Sequence, residues 1–460
     1  MNRLMRRNIA FSLILIFGVP AILFVVSELV LKALASAIPT VAIVLSRADI
    51  ERTTDDPELG GRPNPLYPEH DRNGFRNESV PNEAAIVALG DSQTYGVGVA
   101  TEQAWPKQLA TLGKMTTYTM AYGGWGPTQS LILLDKALHF KPKLIIEAFY
   151  FGNDLYDSYA HIYELQQLPE LKSTDPKVIQ AILDAEKVEP LTGRIRKLFN
   201  VMFGIGIPTH KTAQTVRNEE HGTLREFLAE HSQLYGLARA VKRAYRQRNT
   251  LGRVGNQDWQ SIEKRALKER DQKFLEILDN GKVRAVFGSV FRLMALDLDD
   301  PRIAEGFRVS LEAIRLMQQR SQAANIQFAV LLLPTKEMVF KNVVYENPGA
   351  APKAIKAVIH SEELARQKTL NFLRDQEIHF IDPLPALQER LSNGDQPYPI
   401  SFDDHPSAIG HQTIAGIVLS EIEKNDLLGR GKLHVQISRP TRLTGSRGES
   451  HAAGLKLLRR

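Results

Sequence analysis

Short apolar runs alternate with segments of helical pattern along this chain, and the alternation limits the folds that the chain can adopt. Five runs predict strands, at residues 84–89, 116–120, 143–150, 327–333 and 379–381. The segments between and after them predict helices near residues 103–112, 128–139, 306–323, 362–375 and 408–423. Strands that alternate with helices form a parallel sheet covered on its faces. We therefore expect a three-layer α/β/α fold of flavodoxin-like type.

One long segment, residues 155–305, interrupts the alternation and is too long for a plain loop in a compact domain. Within it, residues 222–245 have the pattern of an amphipathic helix, and residues 242–268 are rich in Arg and Lys. This predicts a mainly helical insertion that emerges beside Asn153. The insertion forms either a wall or lid over a site, or solvated helices that stabilise the domain.

The N-terminus contains an apolar span of bilayer length, residues 9–30, in which Glu28 is the only charge. An α-helix needs about 20 apolar residues to cross a bilayer core. Three arginines before the span predict that the N-terminus lies inside and the rest of the chain outside. A cleaved signal peptide is the competing interpretation, because Ala35-Ser36-Ala37 has the small residues of a cleavage site. We favour a single-pass anchor in a bacterial cell membrane, with a periplasmic domain.

These features divide the chain into six predicted segments. They are an N-terminal membrane anchor (1–48), a linker (49–83), the first part of the α/β domain (84–154), the insertion (155–305), the second part of the domain (306–425) and a basic, disordered tail (426–460). The net charge of +6 belongs to the tail, because residues 429–460 contain eight basic residues and one acidic residue. The rest of the chain is therefore close to neutral.

Composition and motifs exclude several classes of function. The chain has no cysteine, so it has no disulfide, thiol nucleophile or thiolate metal site. It contains no dinucleotide fingerprint, phosphate-binding loop or zinc-motif pair of histidines, so we predict no cofactor and no metal. It also contains no base-reading module, so nucleic acid is not an expected partner.

Polar residues that carry chemistry follow two of the predicted strands. Gly90-Asp91-Ser92 follows the first strand, and Gly152-Asn153-Asp154 follows the third. In open α/β sheets, ligands bind outside the carboxyl ends of the strands, so the Ser92 hydroxyl lies where a substrate is expected. Asp403-Asp404-His405 precedes the last predicted helix. Together the three motifs supply a nucleophile, an amide donor, a base and a carboxylate that orients the base.

In this order, and with Gly124 between the first two motifs, these residues resemble the conserved blocks of the SGNH/GDSL hydrolases. The resemblance covers about residues 80–155 and 325–425, and it also implies a flavodoxin-like fold. It implies that Ser92 is the nucleophile and His405 the base. It further implies an oxyanion hole formed by the N–H groups of Ser92 and Gly124 and by the Asn153 side chain.

The sequence departs from the family pattern at two places. The family usually has an asparagine shortly before the second-block glycine, where this chain has 119–122, Thr-Met-Ala-Tyr. The family's acid usually stands three residues before the histidine, where this chain has Phe402. We therefore assign the role of the acid to Asp403, with Asp404 as the alternative.

The resemblance and the anchor predict a serine hydrolase that cleaves O-acyl esters of a glycan or lipid outside the cytoplasm, through an acyl-enzyme on Ser92. One alternative keeps the site but transfers the acyl group to a sugar hydroxyl of an exported polysaccharide. That alternative implies a multi-pass membrane acyltransferase as a partner. A second alternative, motivated by the two departures, is a non-catalytic carbohydrate-binding protein on the same fold.

Overall fold

The structure is a computed structural model that describes residues 11–12, 14–38, 41, 51–195, 228, 231–242, 259–270, 275–346 and 352–429. Its strands are β1 Thr53–Thr54, β2 Arg62–Pro63, β3 Ile86–Gly90, β4 Thr117–Ala121, β5 Leu144–Tyr150, β6 Glu276–Asp279, β7 Arg284–Phe287, β8 Gln327–Leu333 and β9 His379–Ile381. Its α-helices are α1 Val19–Ala37, α2 Ser92–Tyr95, α3 Trp105–Gly113, α4 Pro127–Leu138, α5 Asp154–Tyr163, α6 Pro176–Val188, α7 Trp259–Arg270, α8 Ser289–Leu296, α9 Pro301–Ala323, α10 Lys336–Val339, α11 Lys341–Glu346, α12 Lys353–Asp375, α13 Leu384–Ser392 and α14 Ala408–Lys424.

Five of the strands form one parallel sheet in the order β4-β3-β5-β8-β9. Numbered along the chain, this order is 2-1-3-4-5, which is the flavodoxin-like order. The order reverses direction between β3 and β5, and ligand crevices of such sheets lie where the strands at this point end. The expected α/β fold is confirmed, and each strand of the sheet begins within two residues of its predicted start.

The sheet separates two apolar cores, because neighbouring side chains of a strand point to opposite faces. Val87 and Leu89 of β3 belong to one core, whereas Ile86 and Ala88 belong to the other. Helices α4 and α9 cover the first face, and α3 and α14 cover the second, through the buried residues Leu131, Leu134, Ile314 and Met317 on one side and Trp105, Leu109, Ile414 and Val418 on the other. The fold therefore has the three expected layers.

Two helices begin earlier than the apolar pattern predicts. Helix α9 begins at Pro301 because the Asp300 side chain accepts a hydrogen bond from the N–H of Arg302 at 2.9 Å, and proline fits the first turn of a helix. Helix α12 begins at Lys353, directly after Pro352. Its first turn is capped from outside the helix, because the Glu276 carboxylate accepts hydrogen bonds from the N–H groups of Ala354 and Ile355 at 3.3 and 2.9 Å. Apolar periodicity reports neither kind of cap.

The segment predicted as a linker packs closely on the sheet. The buried Arg76 guanidinium donates hydrogen bonds of 2.6–3.2 Å to three backbone carbonyls in the loop 95–99. The Asn77 side chain both donates to and accepts from the backbone of Thr119 in β4, at 3.0 and 3.1 Å. Residues before β3 thus support the loop that follows α2 and the edge strand β4.

The predicted insertion contains helices, as expected, and also an antiparallel hairpin formed by β6 and β7. The hairpin is followed directly by α8. The predicted amphipathic helix 222–245 lies outside the described residues except for 228 and 231–242, and the predicted tail lies outside them from residue 430.

Among the described residues, one helical stretch is long and apolar enough to cross a membrane. It extends from Leu15 to Ala37, over 23 residues with a mean hydropathy of 2.1, and none of it is buried in the protein. It continues beyond the predicted end at residue 30. Within it, the Glu28 carboxylate accepts hydrogen bonds from the Ser232 hydroxyl and from the N–H groups of Gln233 and Leu234. This carboxylate therefore connects the apolar helix to the segment 231–242.

Candidate active site

The candidate nucleophile Ser92 is the first residue of α2 and follows β3 after a single residue, Asp91. The buried Asp91 side chain caps this helix by accepting a hydrogen bond from the N–H of Gln93 at 2.9 Å. The Ser92 hydroxyl lies 3.3 Å from the other Asp91 oxygen. The strand therefore turns sharply into a short helix, and the turn presents the serine at the carboxyl edge of the sheet.

Ser92, His405 and Asp403 form one hydrogen-bonded chain. His405 Nε2 lies 2.9 Å from Ser92 Oγ, and His405 Nδ1 lies 2.7 Å from Asp403 Oδ1. The same carboxylate oxygen accepts the backbone N–H of His405 at 3.1 Å. When Nδ1 carries the proton and donates it to Asp403, Nε2 is free to accept the serine proton. The structure thus brings together the three residues that the sequence motifs selected.

The two neighbouring aspartates have different partners. Asp404 Oδ1 lies 3.8 Å from His405 Nδ1, and the Asp404 carboxylate forms an ion pair with Arg292. Burial acts to raise the pKa of Asp403, but the charge and hydrogen bonds of His405 and the charge of Lys336 hold this pKa below its ordinary value. Asp403 therefore stays ionised at neutral pH and can stabilise a protonated imidazole.

Lys336, which the sequence analysis did not select, holds the loop that leads to Asp403. It is fully buried at the start of α10, and its Nζ donates to the carbonyls of Val286, Pro399 and Ser401 at 3.0, 2.6 and 2.5 Å. Burial lowers the pKa of Lys336 to about 7. No signal in the sequence indicated this role, because a lysine that follows a strand is usually exposed to solvent.

The loop after β4 lies close to Ser92. Gly124 has a φ of 78°, and a Cβ added there would meet nothing within 4 Å. A Cβ added to the preceding Gly123 would lie 3.6 Å from Ser92 Cβ, so this loop lies against the serine. The left-handed backbone at Gly124 favours glycine, because a side chain is strained at positive φ.

Asn153 follows β5 and stands directly before α5. Its Nδ2 donates to the Asp157 carboxylate, and its Oδ1 lies 3.4 Å from Arg292 Nη1. Gly152 precedes it because a Cβ there would lie 2.3 Å from the Tyr150 ring. Both the nitrogen and the oxygen of the Asn153 carboxamide therefore have partners. The residue follows β5, the strand next to β3.

Arg292 is a second residue that the sequence analysis missed. It lies on α8 with 7% of its surface exposed, and it donates to the Gly152 carbonyl at 2.7 Å in addition to its contacts with Asn153 and Asp404. Its guanidinium also lies 5.2 Å from the centre of the Tyr150 ring. An arginine within the apolar run 289–296 was its only signal in the sequence, and such an isolated charge indicates a buried ionic partner.

Ligand atoms of Asp403, Asp404 and His405 lie within 4.8 Å of one another, a spacing that could hold a metal ion. Each of the three residues already has a partner in the site, however. Asp404 is neutralised by Arg292, and Asp403 accepts both N–H groups of His405. The cluster fits a hydrogen-bonded proton relay better than a set of open ligands, and we assign it no metal.

Three acidic side chains with raised pKa values lie near the candidate site. Burial raises the pKa of Asp91 to about 6, that of Asp157 to about 7 and that of Glu147, in β5, to about 8. Asp91 and Glu147 are fully buried and Asp157 is partly buried, and burial disfavours the charged form of a carboxyl group. The acidic side chains behind the serine therefore take up protons at pH values where exposed carboxyl groups are ionised.

Glu147 makes the stability of the protein depend on pH. Its folded-state pKa of about 8 exceeds the ordinary value of 4.5. Its contribution to the free energy of unfolding is therefore fully present below pH 4.5 and is lost as pH rises through 8. We expect Glu147→Gln to remove this loss. Between pH 5 and 8 the stability of the original chain should fall, relative to the variant, by about 1.4 kcal/mol per pH unit.

Thermal unfolding of both proteins at several pH values measures this difference. A matched control, Glu389→Gln on an exposed position of α13, should leave the shape of the pH curve unchanged. Parallel curves for the original chain and Glu147→Gln would show that Glu147 is ionised in the folded protein.

Neither a protein-family model nor a curated protein matches this chain. Among solved structures, the chain is similar to a carbohydrate esterase family 2 enzyme plus carbohydrate binding domain from Corynascus thermopiles (Myceliophthora fergusii). The two chains are 11% identical, the match covers 78% of this chain and 70% of the other, and the TM-score is 0.29. A likeness this distant gives no information about the chemistry of this chain.

Proposed function

We propose that the protein is a serine esterase of SGNH/GDSL type, and that Ser92 is its nucleophile. The observation that carries this proposal is the hydrogen-bonded chain from Ser92 through His405 to Asp403 at the carboxyl edge of the sheet. A nucleophile within hydrogen-bond reach of a base, which a third group orients, is the diagnostic arrangement of covalent catalysis.

In the first half of the reaction, Ser92 Oγ attacks the acyl carbonyl while His405 Nε2 takes the serine proton. The carbonyl carbon then loses the alcohol, which leaves with the proton from His405, and an acyl-enzyme remains. In the second half, water attacks the acyl-enzyme after giving a proton to His405. The carboxylic acid leaves as Ser92 Oγ recovers that proton. Asp403 stabilises the imidazolium in both halves.

The negative charge on the carbonyl oxygen needs donors on the side of Ser92 away from His405. The N–H groups of Ser92 and Gly124 and the Asn153 carboxamide are the donors that we assign to this oxyanion hole. The position of the Gly123–Gly124 loop against Ser92 supports this assignment, as does the placement of Asn153 after the strand next to β3. Donors that are fixed before the reaction stabilise the developing charge without reorganisation.

A covalent probe tests the proposal on the full-length chain in detergent. A fluorophosphonate should label the protein at Ser92, and a short-chain aryl ester should be hydrolysed. Ser392→Ala, on an exposed serine of α13, is the matched control and should label as the original chain does. A properly folded chain that neither labels nor hydrolyses the ester would favour a non-catalytic binding protein.

We further propose that the apolar helix is a retained anchor and that the site faces the periplasm, where O-acyl esters of glycans or lipids are the substrates. The length of the apolar helix supports retention, because its 23 residues exceed the stretch of about 7–15 apolar residues that is typical of a signal peptide. The basic residues before the apolar helix support the orientation.

The topology can be measured with reporter fusions. We expect a C-terminal alkaline phosphatase fusion to be active and a β-galactosidase fusion at the same point to be inactive. The protein should also remain with membranes after an alkaline carbonate wash. Release with a new N-terminus near Ile38 would establish a cleaved signal, and the opposite reporter pattern would overturn the orientation.

A further inference from the structure

Arg292 stands between two parts of the site that come from distant parts of the chain. It belongs to α8, within the predicted insertion, and this helix directly follows the hairpin of β6 and β7. In β7 of that hairpin, the N–H of Val286 donates to Ile400 at 2.9 Å, and the Val286 carbonyl accepts from Lys336. The insertion is therefore attached directly to the loop that leads to Asp403.

The two terminal nitrogens of the Arg292 guanidinium have different partners. Nη2 forms the ion pair with Asp404, while Nη1 donates to the Gly152 carbonyl and faces Asn153 Oδ1. A planar guanidinium presents its N–H groups in a rigid fork, which a lysine ammonium does not reproduce. Asp404 thus supplies the counter-charge that keeps the fork in place, and the fork reaches the turn that contains Asn153.

The contacts of Asn153 leave one of its N–H groups for a substrate. A carboxamide has one oxygen and two N–H donors. Its oxygen faces the cationic Arg292, and one N–H donates to Asp157. The reversed carboxamide would place its donors against the guanidinium donors, whether or not Asp157 is protonated. Only the first orientation directs the NH₂ group away from the guanidinium.

We propose that Arg292 is a positioning residue of this site: it fixes the orientation of the Asn153 carboxamide, and Asp404 holds Arg292 in place. This inference rests on the proposed esterase function and deepens it. It assigns a role to a residue of the insertion, and it assigns Asp404 a role other than that of the catalytic acid. Arg292 acts only through Asn153 and makes no contact with the acyl group.

A double-mutant cycle on the full-length chain tests the inference, with turnover expressed per site titrated by the fluorophosphonate. Removing one oxyanion donor from a hydrolase costs about 10²–10³ in kcat, and a displaced donor should cost part of this. We expect Arg292→Lys and Arg292→Gln to lower kcat by about 10- to 100-fold, with little change in KM. In an Asn153→Ala background, either change should cost less than about threefold, because the residue it positions is gone.

Arg302→Lys is the matched control, because Arg302 is also a buried arginine in an ion pair but lies at the start of α9. It should leave kcat per titrated site unchanged. Should the Arg292 variants not fold, Asp404→Asn keeps the arginine and removes its counter-charge. Its loss of kcat should likewise disappear in the Asn153→Ala background.

Two results would overturn the inference while leaving the proposed function in place. One is an unchanged kcat per site in the folded Arg292 variants, or in Asp404→Asn when those variants do not fold. The other is a loss of kcat that has the same size in the original chain and in the Asn153→Ala background. That result would show that Arg292 acts independently of the Asn153 carboxamide. If the original chain neither labels nor hydrolyses esters, the proposed function itself fails.

Discussion

Ser92→Ala is expected to lower the kcat for a short-chain aryl ester by about 10⁵-fold or more, with little change in KM. Removal of the serine of a catalytic triad in another hydrolase costs about 2 × 10⁶ in kcat, and the donors that remain account for the residual rate. The expectation follows from the 2.9 Å contact between Ser92 and His405, because the variant leaves the base without a proton to accept from a nucleophile.

Steady-state kinetics on the detergent-solubilised chain measure this effect, with thermal unfolding as the test of folding. Ser392→Ala should keep the original kcat, because Ser392 lies far along the chain on an exposed helix position. A Ser92→Ala variant that retains its rate would show that the aryl ester is cleaved by some other group.

Asp403→Asn is expected to lower kcat by about 10⁴-fold, because an amide at this position can hold the imidazole in the wrong tautomer and cannot stabilise the imidazolium. Asp404→Asn should have a far smaller effect, of about 10-fold, that reflects only the displacement of Arg292. The geometry behind this difference is the 2.7 Å contact of His405 with Asp403 and the 3.8 Å separation from Asp404.

The two variants serve as controls for each other, since they remove one negative charge from adjacent residues. Both are compared per titrated site, so that a partly folded preparation does not mimic a slow enzyme. If Asp404→Asn proves the more damaging change, the role of the acid belongs to Asp404. The ion pair with Arg292 would then be broken in the active state.

The sequence allowed much of the sheet to be predicted because β3, β4, β5 and β8 are buried over all or nearly all of their length. Strands buried on both faces have few polar residues. The short strand β9 is only partly buried, but both β8 and β9 have the predicted bounds. The motifs with Ser92 and Asn153 could be located in the same way, because each follows one of these strands directly. The turn before α14 was found from its aspartates and histidine and then from its resemblance to a family pattern, because no periodicity in the sequence marks it.

Arg292 and Lys336 could not be found in this way, because their roles depend on contacts between elements that are far apart in the chain. Lys336 is defined by three carbonyls at residues 286, 399 and 401. Periodicity reports which face of an element is apolar, and it contains no information about which loop a buried cation will meet. The hairpin of β6 and β7 was missed for a related reason, since its strands are short and lie within a segment predicted as mainly helical.

The hydrogen bond between Ser92 and His405 joins residues that are 313 positions apart in the sequence. This separation in sequence determines when the protein can become active. During translation Ser92 is synthesised early and His405 late. A growing chain therefore contains the nucleophile without its base for most of its synthesis. Contacts of such long range also form slowly. An incomplete chain that ends before residue 403 is therefore expected to show no esterase activity. Activity begins only when the loop before α14 has brought His405 next to Ser92.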